Sequence, residues 1–196
     1  MAITVNGTAN TIAGLAVGGL PDGTVDTDMM ATNAITSSLM PAGAILQVLQ
    51  STRTDMISTT SATFVDVLTQ AITPSSTSNK ILIFFQGMEC QDGGDGNTYS
   101  RYKLMRDSTS IYNGDDGSHN GGASSGRFGR QGNWLSDPVQ IMYMDSPSST
   151  SAITYKVQFN STRGSSWRVS IGGSMRTTFS GDTRVATNLI LMEIAG

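Results

Sequence analysis

Lys80-Ile-Leu-Ile-Phe-Phe-Gln86 is the most continuous apolar run of the chain, and it is short. Pro74 and Asn79 punctuate it on one side, and Gly87 and the glycine cluster from Gly93 on the other. A short run rich in β-branched and aromatic residues predicts a strand buried on both faces. A helix of equal burial would need more length and better helix formers. The run is therefore expected to be the central strand of an all-β core, extending to about Cys90.

Working outward, strand signals recur on both sides. Upstream, Ala44-Ile-Leu-Gln-Val-Leu-Gln50 has a period of two, and Ser51 to Ile57 either continues it or pairs with it. Thr63 to Ile72 alternates Phe64, Asp66 and Leu68 against Val65 and Val67. Downstream, Tyr99 to Arg106 alternates, and Asp107-Ser-Thr109 is a hairpin tip leading to Ser110-Ile-Tyr112. Val139–Met144, Ala152–Phe159, Trp167–Ile171 and Leu189–Ile194 complete the set. About eight to ten short strands between regular turn signals predict a jelly-roll-like antiparallel β-sandwich over residues 42–196. From Asn113 to about Asn133 runs a Gly/Asp/Ser loop, of a length usually reserved for function or disorder.

Residues 1–41 read differently. Aromatics are absent, and apolar residues are spaced by Gly and Ala. Such a segment buries too little surface to fold alone. It is expected to be an extended assembly segment, ordered against other copies or another protein through Ile12, Leu15, Val17, Leu20, Met29 and Ile35. Pro21-Asp22-Gly23 is a turn signal. A short helix and an irregular strand both fit Val25 to Met40. Pro41-Ala-Gly43 marks the boundary.

Composition narrows the partners. The chain has 196 residues, of which 14% are charged, and a net charge of −3. Lysine occurs only at Lys80, Lys103 and Lys156, so there is no basic stripe for nucleic acid or an anionic membrane. No apolar stretch approaches the roughly 20 residues that span a bilayer, and no signal-peptide pattern opens the chain. Cys90 is the one cysteine, which excludes an internal disulfide and a cysteine-based metal site. It is expected to be a small buried residue.

The search for chemistry is negative. His119 is the one histidine and lies in a Gly/Asn/Ser loop, a poor place for a base. No Gly-x-Ser-x-Gly elbow, P-loop or zinc spacing occurs. Asp92, Asp95, Asp115 and Asp116 fall in glycine loops and lack EF-hand spacing; solvated turn aspartates are the simpler reading. Glu89 and Glu193 lie on predicted strands, but nothing in the sequence makes them meet as a glycosidase pair. No enzyme, cofactor or metal is expected. Tyr99, Tyr112, Arg127, Phe128, Arg130 and Trp134 lie in or near loops and are residue types that dominate recognition surfaces. For each one alone, anchoring its loop to the core is the blander role.

Two features together resemble a family. Gly19-Leu-Pro-Asp-Gly-Thr-Val-Asp-Thr-Asp-Met-Met-Ala-Thr-Asn-Ala-Ile35 is similar to a degenerate linker segment of bacteriophage tail-fibre and related virion proteins, of the marine and cyanobacterial phage type. Pro41-Ala-Gly-Ala-Ile-Leu-Gln-Val-Leu-Gln50, with Lys80-Ile-Leu-Ile83, Leu104-Met-Arg-Asp107 and Tyr155-Lys-Val-Gln158, resembles the β-domain that ends many of them. This chain has one copy of the linker segment, where long fibres carry more shaft. The resemblance implies a homotrimer, attached to other virion proteins by its N-terminal part and turning its C-terminal domain to a host-surface glycan or protein. It implies a tail-fibre or receptor-binding protein, made in the host cytoplasm and released by lysis. A capsid decoration or head-fibre protein is the alternative. One face of the Lys80–Gln86 strand is then expected at a subunit interface.

Overall fold

The computed structural model describes residues 4–6, 11–13, 36, 39–92, 99–114, 123–127, 135–162, 167–174 and 183–196. The chain divides into two compact units, Met1–Leu39 and Met40–Gly196. In the first, β1 (Thr4–Asn6) and β2 (Thr11–Ala13) pair antiparallel, with Val5 opposite Ile12. A lone two-stranded hairpin is at best marginally stable in water. The turn expected at Pro21–Gly23 and the assembly residues Leu15, Val17, Leu20, Met29 and Ile35 lie outside the described residues. So does nearly all of the segment from Val25 to Met40.

The second unit is an all-β sandwich of two antiparallel sheets. Its strands are β3 (Ile45–Arg53), β4 (Ile57–Thr59), β5 (Val65–Ile72), β6 (Lys80–Asp92), β7 (Ser100–Arg106), β8 (Thr109–Ile111), β9 (Ser125–Arg127), β10 (Leu135–Asp145), β11 (Ile153–Ser161), β12 (Arg168–Ile171) and β13 (Thr187–Ile194). β6 is the centre of sheet one. β10 runs along one edge of it, while β13 and then β12 share the other. β3 and β4 lie outside β13 and β12. Sheet two runs β5, β11, β7, with β8 and β9 sharing the far edge of β7. Counting β3/β4, β8/β9 and β12/β13 as interrupted single strands, the two sheets have orders 1-8-3-6 and 2-7-4-5. That is the jelly-roll order, in which successive strands mostly cross between sheets.

The core follows from strand alternation. Ile81, Ile83 and Phe85 of β6 face inward with Leu189, Leu191, Val139 and Ile141; Tyr102, Leu104, Tyr155, Val157 and Phe159 answer from sheet two. Phe85, Tyr102 and Phe159 form an aromatic chain, with centroids 6.4 and 5.9 Å apart. Cys90 is buried, as its type suggests. Pro138 sits in β10, which has one ladder partner among the described residues, and an edge strand is where proline is tolerated.

Three expectations need correction. Lys80–Gln86 is buried on one face only in the single chain, because Phe84 is 36% exposed while Phe85 is 2% exposed. Alternation along β5 fails at Val67 and Leu68, which are both buried. The ladder to β11 skips a residue there, with Leu68 opposite Val157 and Asp66 opposite Gln158, and a bulge turns two neighbours to the same side. Finally, the loop from Asn113 to Asn133 contains β9, whose Ser125 pairs with Tyr102.

Candidate functional site

The sandwich has two different ends. The chain enters it at Met40–Ala44, and there Gly43 N–H donates to the Ala195 carbonyl and Ala195 N–H to the Ala44 carbonyl. This end is closed by one inward cross-strand row, Asp145–Ile81–Glu193–Gln47. Both acids in the row are buried and fully engaged. Glu193 Oε1 accepts from the Ser75 N–H, the Ser75 hydroxyl and the Asn79 amide at 2.6, 2.8 and 2.5 Å, and Oε2 accepts from Gln47 at 2.6 Å. Burial works to raise its pKa, but these donors outweigh burial and hold it below the usual glutamate value. Asp145 accepts from Arg106 Nη1 at 3.0 Å on both oxygens and from the Tyr155 hydroxyl at 2.6 Å, tying β10 to sheet two. Burial, then the hydrogen bond to Asp145, push the Tyr155 phenol far up.

At the opposite end the chain leaves β6 after Asp92 and returns at Tyr99, leaves β9 at Arg127 and returns at Leu135, and leaves β11 at Thr162 and returns at Trp167. Tyr99 is 40% exposed there, and its carbonyl accepts from Thr162 N–H and Oγ1 at 3.0 Å each. Arg127 ends the neighbouring strand, opposite Ser100. The structure thus brings Tyr99 and Arg127 to one end of the sandwich. Tyr112 is elsewhere, on the flank toward the Asp145 end, 47% exposed and stacked on Tyr143 with centroids 4.6 Å apart. Phe128, Arg130, Trp134, His119, Asp95, Asp115 and Asp116 lie outside the described residues. Glu89 and Glu193 do not form a pair. Glu193 is opposite Ile81, and eight residues of strand to Glu89 amount to roughly 26 Å, beyond either glycosidase spacing. Glu89 instead accepts from Ser100 Oγ at 2.6 Å. Among the described residues no group of His, Cys, Asp and Glu could hold a metal ion.

The two outer faces of the sandwich differ in character. Sheet two presents Arg101, Lys103, Lys156 and Asp66, with Lys156 3.5 Å from Asp66 and both Lys103 and Arg101 over the Phe64 ring. This is an ordinary solvated face. Sheet one presents cross-strand rows without a charge. Met144–Leu82–Met192–Val48 is followed by Met142–Phe84–Ile190–Gln50, and then by Gln140–Gln86–Asn188–Thr52. Pro138–Met88 continues it, and beyond that pair the face is covered: Cys90 and Ser170 are fully buried, and Ser170 Oγ donates to the Gly173 carbonyl at 3.0 Å. Among the described strand residues, charges return at Lys80 on one side and at Arg168 on the other. Met142, Val48 and Met144 are 62%, 53% and 42% exposed. The face is hollowed around Phe84, Met142, Ile190 and Met192 into a depression of about 550 Å³. Sequence reasoning considered one face of the Lys80–Gln86 strand and missed the strands beside it. The signal was available: Ile141-Met-Tyr-Met144 and Leu189-Ile-Leu-Met192 are apolar at every position, which is how strands covered on both faces read.

No family model matches the chain, and no curated protein shows significant similarity to it.

Proposed function

We propose that the chain is a bacteriophage virion structural protein: a homotrimeric tail-fibre or receptor-binding protein that attaches by its N-terminal segment and displays the jelly roll for host-surface adhesion. The observation that carries this reading is the polarity of the sandwich. The N-terminal connection enters at the end locked by Glu193 and Asp145, and the loop ends with Tyr99 and Arg127 lie at the other. A display module needs that arrangement, with a rigid base and a tip made of connections between strands. The resemblance of Gly19–Ile35 and Pro41–Gln50 to virion fibre proteins supports the same assignment. The test is to image antibody-labelled phage particles and to measure binding of the purified full chain to host cells. Label at the tail together with saturable cell binding is expected. Label on capsid faces or vertices overturns the tail reading in favour of capsid decoration.

A further inference from the structure

We propose that the charge-free outer face of sheet one is a self-association surface, turned by each copy of the chain toward the symmetry axis of a cyclic homo-oligomer. The inference rests on the oligomeric part of the reading above and identifies the surface responsible. Its occupant is a second copy of this chain. Three observations carry that choice.

The first is charge. Each copy has a net charge of −3, so copies repel in general. Symmetry brings identical residues together at an axis, where any charge would meet its like. The rows through Leu82, Phe84, Gln86 and Met88 contain none, whereas the outer face of sheet two contains four charged residues, three of them cationic. An anionic or cationic partner would find nothing to pair with on sheet one.

The second is area. At ~4.8 Å between strands and ~6.8 Å between rows, the charge-free rows from Met144 to Met88 cover roughly 450 Å². A standard interface takes about 800 Å² from each partner. The face therefore supplies about half of one interface. Its apolar positions alone cover roughly 300 Å², within the range for the largest and often functional patch on a monomer, about 300–600 Å².

The third is chemistry. Exposed Met142 and Met144 flank the hollow at Phe84, and unbranched thioethers adapt to fill such a hollow in a neighbouring copy.

The test uses the full chain. Light scattering and sedimentation at micromolar concentration should give an integral multiple of 20.6 kDa greater than the mass of one chain. Phe84→Lys and Met142→Lys should each raise the dissociation constant at least about 100-fold, while Gln158→Lys on sheet two leaves it unchanged. A second measurement needs no variant. In the single chain Met142 is far more exposed than Met105, which is half-buried on the outer face of sheet two. With the face covered, peroxide should oxidise Met142 and Met144 about tenfold more slowly than Met105. A monomeric mass, an oligomer indifferent to both lysine substitutions, or faster oxidation at Met142 than at Met105 overturns the proposal. Particle imaging is separate: a monomer on phage tails removes this surface and leaves the adhesion reading, and an oligomer absent from particles does the reverse.

Discussion

Asp145 and Glu193 flank Ile81 in a single cross-strand row, both buried and both facing into the sandwich. Buried carboxylates are costly unless every oxygen is satisfied. These two are satisfied by different elements. Glu193 gathers the 73–79 loop, whose Asn79 Oδ1 in turn accepts from the last backbone N–H at Gly196. Asp145 gathers β7 and β11 through Arg106 and Tyr155. The end of the domain where the N-terminal connection enters is therefore locked by buried carboxyl groups and their hydrogen-bond donors.

Glu193 makes stability pH-dependent at that end. Its folded pKa lies below the ordinary 4.5, so its contribution is fully present above the unfolded value. It is lost as pH falls through the folded value. Glu193→Gln should cost about 2 kcal/mol at neutral pH, since charge-assisted hydrogen bonds are at stake. The gap between wild type and variant should stay constant above about pH 5 and narrow below pH 4. Urea midpoints measured from pH 3 to pH 7 check this; a gap that widens on acidification contradicts it.

Around Asp145, the two partners are expected to be unequal. Tyr155→Phe removes one donor and should cost about 1–2 kcal/mol. Arg106→Met leaves a buried carboxylate without its cation and should cost about 3 kcal/mol or more. The double variant should cost less than the sum, because both act through one carboxylate. Thermal unfolding of the three variants measures the coupling.

Gly87 marks where β6 passes from β13 to β12 as its partner. A Cβ there would meet Ile171 Cδ1 at 2.7 Å, Cγ1 at 2.9 Å and Thr187 Cγ2 at 3.1 Å. Gly87→Ala should therefore destabilise by about 1–3 kcal/mol through overpacking. Ile171→Val deletes the closest atom, so adding it to Gly87→Ala should recover stability rather than lose more. Two independent losses that sum would show that the hand-over does not depend on this contact.

Much of the fold was legible because strand periodicity and turn chemistry are local. The run at Lys80 did prove to be the central strand, and the boundaries of β3, β7 and β13 lie within a few residues of the apolar patterns that predict them. What was not legible depends on a second strand. The bulge at Val67–Leu68 exists only relative to β11, and β9 has no apolar pattern of its own; it forms because Ser100–Tyr102 offers an edge. The candidate surfaces divide the same way. Tyr99 and Arg127 are 28 positions apart in sequence and come to one end of the sandwich only through the ladder between β7 and β9. Glu193 reads as a possible catalytic acid in sequence, and only the 73–79 loop reveals its structural use.

Phe84 and Phe85 give the sharpest contrast between core and surface. They are adjacent, so on a strand they point to opposite faces. Phe85 is 2% exposed and touches the aromatic chain through Tyr102. Phe85→Ala should cost about 3–5 kcal/mol, and Phe85→Asp should abolish the folded state. Phe84 is 36% exposed and lies between Met142 and Ile190 in its row. Truncating it to Ala removes cross-strand contacts at about 0.2–1 kcal/mol each and opens no cavity in the core. Phe84→Ala should therefore lower stability by about 1 kcal/mol in a denaturation read at concentrations where the chain is dissociated. Read at high concentration, the same substitution should cost more, because association adds to apparent stability by mass action. The concentration dependence separates the two faces of the strand. Phe85→Ala should shift the transition equally at every concentration, and Phe84→Ala should shift it more as concentration rises. Equal, concentration-independent losses at both positions would make β6 a strand with two structural faces and no interface.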